Sequence, residues 1–143
     1  MDYVRLSSDC IGGNPMSDLK NTTILSTVKS ALGLNPDEID PDFDTPIRDK
    51  INTAISKLAQ LGLGELGSFL VSTGNETWND FLGEEYQFVY AFATNYISVF
   101  VKLNFDTPQS GSLKAALDEE FATAEQDVLT AIELHNIEKE AAS

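Results

Sequence analysis

Residues 84–104 read EEYQFVYAFATNYISVFVKLN, and this stretch decides the fold. It contains no Gly or Pro, and large apolar side chains fall on nearly every side of a helix with 3.6 residues per turn. One stripe is formed by Val89, Ala93, Tyr96 and Phe100, and a second by Tyr86, Tyr90, Ile97 and Val101. A helix that is apolar nearly all round is buried on most sides. We therefore predict the central helix of a small all-α bundle.

Three amphipathic helices are predicted around this central helix. The first covers about residues 23–32, and the second covers about residues 45–61, with Thr45 as its N-cap. The third runs from about residue 112 to beyond residue 132 on a narrow apolar stripe. The predicted fold is therefore a bundle of about four helices.

The same patterns divide the chain into three parts. Residues 1–21 show no periodicity and are predicted as an extended arm, residues 22–133 as the helical domain, and residues 134–143 as a C-terminal tail. Within the domain, residues 66–82 carry turn signals and are predicted as a short hairpin or a loop. The N-terminus shows no basic region followed by an apolar run, so we expect no secretory signal.

The charge balance argues against two classes of partner. The 143-residue chain has 9 Lys and Arg against 23 Asp and Glu, a formal net charge of −14. Binding to nucleic acid through phosphates needs basic patches, and docking on anionic lipid needs them too. The longest uncharged stretch, residues 86–101, would span about 24 Å as a helix, short of the roughly 30 Å bilayer core. We therefore expect neither a nucleic-acid-binding protein nor a membrane protein.

No sequence motif indicates a catalytic or cofactor site. The one cysteine, Cys10, lies in a glycine-rich segment, and the one histidine, His135, lies in an acidic segment. Nucleophilic catalysis needs a nucleophile within reach of a base, and a zinc site needs clustered Cys and His. We expect a free thiol, an exposed histidine, no enzymatic activity and no cofactor or metal.

An acidic loop precedes the second predicted helix, with carboxylates at Asp37, Glu38, Asp40, Asp42 and Asp44. Alternating aspartates also begin an EF-hand. However, a loop counted from Asp40 lacks the glycine and the glutamate that an EF-hand requires at its sixth and twelfth positions. We interpret the segment as a solvated loop whose last carboxylates favour the positive N-terminal end of the next helix.

A second acidic surface is predicted on the last helix. Its apolar stripe is narrow, and the remaining surface carries carboxylates at Asp118, Glu119, Glu120, Glu125 and Asp127. We expect a surface helix with one buried edge and an acidic exposed face.

Two short patterns connect these elements to a known family. The pattern D-F-D-x-x-I at residues 42–47 leads into the helix IRDKINTAISKLAQLG, and K-x-N-F at residues 102–105 ends the aromatic helix. A short helix comes before these patterns and an acidic helix follows them. This order resembles the head–tail connector, or adaptor, proteins of tailed bacteriophages over about residues 22–132.

The resemblance implies a structural protein of the virion neck, made in the host bacterial cytoplasm and without enzymatic activity. Proteins of this family are mostly α-helical and form rings, typically dodecamers, beneath the portal protein. The ring extends the channel through which DNA passes without specific binding, and it offers a docking surface to the tail or to a stopper protein. In several members the C-terminal segment docks on the portal, which by position makes Leu134 and Ile137 candidate interface residues.

The acidic composition also fits an alternative function, that of a soluble DNA mimic which inhibits a host nucleic-acid-binding protein. A mimic needs carboxylates spread over most of one surface at phosphate-like spacing, whereas these carboxylates cluster in one loop and on the last helix. Charge alone specifies no partner. The connector function is therefore the favoured hypothesis, and the DNA mimic is the alternative.

Overall fold

The computed structural model describes residues 22–105 and 111–142. Two short 3-10 turns, Gly64–Ser68 and Gln87–Val89, interrupt the loops between helices. Within the described residues there is no β-strand, and the chain forms α1 (Ile24–Ala31), α2 (Pro41–Gln60), α3 (Trp78–Leu82), α4 (Tyr90–Phe105) and α5 (Gly111–Ala142). The prediction of a small all-α bundle is confirmed.

The aromatic helix α4 occupies the centre of the bundle and packs against both α2 and α5. Its side chains Tyr96 and Phe100 share one hydrophobic core with Ile55 and Leu58 of α2. Each fully buried side chain of this size contributes about 1.5–3 kcal/mol relative to an exposed one. The apolar side chains on most sides of α4 are thus covered by α2 and α5, as its sequence predicts.

Ring contacts fix the direction of α5 relative to α4. The ring of Phe121 lies 4.9 Å from that of Tyr96, measured between centroids, and the ring of His135 stacks on that of Phe88 at 3.7 Å. Residues early in α5 therefore meet the middle of α4, and residues late in α5 meet the segment before α4. The two helices run antiparallel.

The direction of α2 is fixed in the same way. Phe43, near the start of α2, packs edge-on against Phe105 at the end of α4, with ring centroids 6.2 Å apart. At the other end of the bundle, the hydroxyl of Tyr86 donates a hydrogen bond to Glu65 at 3.0 Å. Since α2 and α5 are each antiparallel to α4, they run parallel to each other.

The start of α2 differs from the prediction by about one turn, because the helix begins at Pro41 and its N-cap is Asp40 rather than Thr45. The Asp40 side chain accepts a hydrogen bond from the backbone N–H of Asp42 at 3.1 Å. The Asp44 carboxylate in turn accepts one from the N–H of Asp40 at 3.2 Å. A proline at the first helical position costs no hydrogen bond. Because of these reciprocal caps, residues 41–44 are helical, whereas the sequence predicts them as part of the acidic loop.

Residues 66–82 form no hairpin. Thr77 and Asp80 make a capping box that starts α3, whose side chain Trp78 is fully buried. The indole N–H of Trp78 donates a hydrogen bond to the hydroxyl of Thr27 at 2.9 Å. An isolated antiparallel bridge joins Thr23 to Thr77. The spacing of Thr, Asp and the following apolar residues favours a helical turn over a strand.

The central helix begins later than predicted, at Tyr90 instead of near residue 84. Gly83 has a φ of 60° and ends α3, and the N–H of Tyr86 donates to the carbonyl of Leu82 at 3.2 Å. The chain uses residues 84–89 to turn from α3 into α4, which leaves no room for regular helix there.

The last helix is much longer than the bundle it packs on. At 1.5 Å per residue, α5 is about 48 Å long and α4 about 24 Å. Residues 134–142, predicted as a tail, continue α5 as helix, and side chains near both ends of α5 are exposed. The predicted arm, residues 1–21, lies outside the described residues. Among the described helices, none combines the length and the hydropathy that a bilayer span requires.

Candidate protein interaction surfaces

The acidic loop is anchored to the bundle by a buried ion pair. Lys29 of α1 is only 4% exposed, and its ammonium lies 2.8 Å from the carboxylate of Asp44, which is 8% exposed. The same ammonium donates a hydrogen bond to the backbone carbonyl of Glu38. We expected Asp44 to be part of a solvated loop. The structure instead buries it, because the lysine that neutralises it projects from the inner face of α1.

The remaining acidic residues of the loop divide into two kinds. Asp40 is held by its capping hydrogen bond, whereas Asp37, Glu38 and Asp42 have exposed side chains. Two of the carboxylates that suggested a calcium loop, Asp40 and Asp44, are therefore already engaged by the protein itself. Within the described residues, no group of three or more Asp, Glu, His or Cys side chains is arranged to hold a metal ion.

An open cleft of about 650 Å³ lies between α1, the acidic loop and the turn at residues 73–75. Lys29, Asp44 and Arg48 line it, and Ile39, which is 88% exposed, stands at its rim. The buried charges of the cleft already neutralise each other.

A smaller groove of about 330 Å³ is lined by apolar residues. Leu32 and Leu34 line it together with Phe43 and Phe105. The two aromatic residues belong to the two sequence patterns, D-F-D-x-x-I and K-x-N-F, so those patterns meet here in space. Phe43 remains 46% exposed, which leaves an apolar surface at this end of the bundle.

A carboxylate organises the turn that closes the cleft. One oxygen of Glu76 accepts hydrogen bonds from the N–H groups of Ser72 at 3.0 Å and Thr73 at 3.2 Å, and the other accepts from the N–H of Gly74 at 3.0 Å. Burial of this carboxylate acts to raise its pKa. The backbone hydrogen bonds outweigh that effect and lower the pKa of Glu76 from 4.5 to about 2. The carboxylate therefore stays charged and holds the turn at neutral pH.

The acidic residues of α5 do not share one face. At about 100° per residue, residues seven apart lie on the same side of a helix. Asp118 and Glu125 therefore lie on one flank of α5, Glu120 and Asp127 on the other, and Glu119 points away from the buried edge. Burial raises the pKa of Tyr96 to about 12, and the negative charge of Glu125 acts in the same direction. The carboxylates predicted to form one acidic face of α5 thus lie on its two flanks and on its outer edge.

The C-terminal end of α5 presents apolar side chains to solvent. Leu134 is 55% exposed and Ile137 is 54% exposed, and both lie away from the stripe that packs on α4. His135, which we expected to be exposed, is half-buried because it continues that stripe and stacks flat on Phe88. Cys10, for which the sequence predicts a free thiol, lies outside the described residues.

Sequence reasoning missed two residues that organise these surfaces, Lys29 and Glu76. Lys29 lies four residues after Leu25, on the apolar side of the first helix, and a cation there requires a buried partner. Glu76 follows Thr73-Gly74-Asn75, a turn whose free N–H groups need an acceptor. Both signals are present in the sequence, but neither identifies the partner.

Comparison with known families gives a match. The family model described as phage connector protein matches residues 24–134, which is well over half of the chain. No curated protein and no solved structure matches the chain. The match begins with the first residue of α1 and ends within α5.

Proposed function

We propose that this chain, which belongs to the phage connector protein family, forms a ring beneath the portal of a tailed phage. Membership of the family makes the protein a structural connector component of the virion. The finer proposal is that the ring, typically a dodecamer, extends the DNA channel and offers a docking surface to the tail or a stopper protein. The family match over residues 24–134 is the observation that carries this proposal.

The C-terminal end of α5 is the proposed contact with the portal. It extends beyond the short helix that it packs on, and it exposes Leu134 and Ile137 to solvent. Exposed apolar side chains that cluster on one element mark protein–protein contact sites more often than single scattered ones do. Because these two residues are three apart on one helix, a single partner surface can cover both.

The acidic charge suits a passive channel. A wall of the same sign as the DNA phosphates does not hold the DNA by counterion release. The net charge of −14 is consistent with DNA that moves through a ring without being gripped. We therefore expect no binding to double-stranded DNA in a gel-shift assay at low salt. Tight binding that weakens steeply with salt would contradict the channel proposal.

Electron microscopy of the protein, alone and mixed with the portal protein of the same phage, tests the ring directly. Rings that cap the portal are expected in the mixture. The double variant Leu134→Lys/Ile137→Lys should remain folded by circular dichroism and lose co-sedimentation with the portal. Leu129→Lys, a variant of another partly exposed leucine on α5 (36% exposed), is the matched control and should still bind. Portal binding by the double variant would contradict the proposed contact.

A further inference from the structure

One flank of α2 carries a repeated pattern of one aromatic and two basic residues. Phe43, Lys50 and Lys57 are spaced seven residues apart, so they lie above one another along the helix. Phe43 is 46% exposed, Lys50 is half-buried and Lys57 is exposed. In a chain with only 9 basic residues, this flank concentrates positive charge beside an apolar group.

One flank of α5 carries the complementary pattern with the same spacing. Leu113, Glu120 and Asp127 are also seven residues apart. Leu113 is 60% exposed, Glu120 is exposed and Asp127 is half-buried. From the N-terminal to the C-terminal end, the flank of α2 carries one aromatic residue followed by two basic residues. In the same direction, the flank of α5 carries one apolar residue followed by two acidic residues.

The register of the bundle places these residues at matching heights. The side chain of Ile132 on α5 lies over Gly62, just after α2, within 3.5 Å of where a Cβ on that glycine would be. Both helices rise by the same amount per residue and run parallel. Pairs with the same sequence offset as Gly62 and Ile132 therefore lie at the same height along the bundle. These pairs are Phe43 with Leu113, Lys50 with Glu120, and Lys57 with Asp127.

In the part of the chain that the structure describes, these charges are not matched by ion pairs. Among the described residues, Lys50, Lys57, Glu120 and Asp127 form no ion pair. At about 100° per residue, Asp127 lies about 140° around α5 from Ile132, the residue that faces the end of α2. The flank that carries Glu120 and Asp127 therefore turns away from α2 of its own chain, so the basic flank of that α2 is not its partner.

We infer that the Phe43–Lys50–Lys57 flank of α2 binds the Leu113–Glu120–Asp127 flank of α5 in a second copy of this chain. The contact joins two different surfaces of identical subunits, which is the kind of interface that closes into rings. In a ring of many subunits, neighbours differ by a small rotation. Helices that are parallel within a chain therefore stay nearly parallel between neighbours. If the helices lie along the ring axis, that rotation also preserves their heights, so each base meets the acid at its own level.

The two parts of this contact have different physical roles. Phe43 and Leu113 remove exposed apolar surface from water, and Phe43 does so at the edge of the groove that it forms with Phe105. The ion pairs at Lys50 and Lys57 set the register and reject a shifted alignment, because a shift would leave charges unpaired. The inference rests on the proposed ring and identifies the surfaces that would build it.

Charge reversal tests the contact. Lys50→Glu/Lys57→Glu makes both flanks acidic, and Glu120→Lys/Asp127→Lys makes both flanks basic. Each variant alone should be folded by circular dichroism and should lose the ring species in sedimentation velocity and electron microscopy. Mixed in equal amounts, the two variants should regain rings, because every contact between unlike subunits again joins opposite charges.

The control is Asp118→Lys/Glu125→Lys, which makes the same charge change with the same spacing on the other flank of α5 and also removes the exposed ion pair between Asp118 and Lys114. It should keep the rings. Rings that persist in both flank variants, or that are lost equally in the control, would overturn this inference while the proposed ring function stands. A wild-type chain that forms no ring, with or without the portal, would overturn the proposed function and this inference with it.

Discussion

Charged residues have opposite roles in two regions of the molecule. One region, here called the corner, comprises Lys29, Asp44 and Glu76 around the cleft, and the other is the surface of α5. At the corner, Lys29 and Asp44 are buried and paired at 2.8 Å, and Glu76 is held by backbone N–H groups. On α5, Glu120 and Asp127 have no partner among the described residues. The corner charges stabilise the fold, whereas the α5 charges leave it unchanged and are available to other molecules.

This difference follows from desolvation. A charge that is removed from water needs compensation by a partner, and the partnered charge then becomes a structural requirement. A charge on an exposed helix flank keeps its water and contributes little to folding. Substitutions at the corner and on α5 should therefore separate stability from assembly.

The largest effect is expected at Lys29. Lys29→Met leaves the Asp44 carboxylate buried without its cation, which should lower the free energy of unfolding by about 3–5 kcal/mol. Urea denaturation followed by circular dichroism measures this loss. In Lys29→Met/Asp44→Asn, the neutral amide can still accept the hydrogen bond from Asp40 N–H, so the double variant should recover at least half of it. A single variant that loses less than about 1 kcal/mol would show that the pair is not a structural requirement.

The second effect is expected at Glu76. Glu76→Gln replaces a carboxylate that accepts through both oxygens with a group that accepts through one. It should cost about 1–2 kcal/mol at neutral pH, given the partial exposure of the site. Because folding lowers this pKa from 4.5 to about 2, the stabilisation is fully present above about pH 4.5 and is lost as the pH falls through 2.

Urea denaturation at several pH values checks both statements for Glu76. The difference in free energy of unfolding between wild type and Glu76→Gln should be constant from pH 7 to about pH 5 and should become smaller below that. Glu119→Gln, an exposed carboxylate on α5, is the matched control and should leave stability unchanged at every pH. If this difference in free energy of unfolding stays constant down to pH 2.5, the role assigned to the Glu76 carboxylate is wrong.

The sequence predicted those elements whose apolar pattern is complete and missed those that depend on single polar partners. The unbroken apolar character of residues 84–104 predicted a central helix, and α4 is central. The start of α2 was misplaced because the reciprocal caps of Asp40 and Asp44 look the same in sequence as a solvated acidic loop. A lysine and an aspartate fifteen residues apart cannot be recognised as a pair until the fold brings them together.

The candidate surfaces show the same limit. Leu134 and Ile137 were named by their position in the C-terminal segment, which the resemblance implies as a docking segment, and not by helical spacing, because we predicted that segment as a tail. The matching of the α2 and α5 flanks was not identifiable, since it depends on two helices running parallel at a fixed register. That register comes from contacts such as the one between Gly62 and Ile132, which no local pattern predicts.

A smaller effect is expected from the exposed ion pair between Lys114 and Asp118, which are 3.0 Å apart and about half exposed. Lys114→Ala should change the free energy of unfolding by only about 0.3–0.5 kcal/mol, as for other pairs four residues apart on a helix. Raising the salt concentration should remove even this difference. Thermal unfolding at low and high salt measures it. If Lys114→Ala loses as much free energy of unfolding as Lys29→Met, then exposed and buried ion pairs contribute equally to the stability of this protein.

The smallest effect on stability, and the sharpest separation from assembly, is expected for Glu120→Lys/Asp127→Lys. Neither carboxylate has a partner among residues 22–105 and 111–142, so the free energy of unfolding should stay within about 0.5 kcal/mol of wild type. The reversal also lowers the net negative charge, and the reduced self-repulsion offsets any local loss on α5. Urea denaturation measures the stability, and sedimentation velocity on the same sample measures assembly. A variant that unfolds more easily by 2 kcal/mol or more would place these carboxylates with the corner charges as part of the fold. A variant that keeps wild-type stability but sediments as a monomer would show that α5 carries charge for its neighbours and not for its own chain.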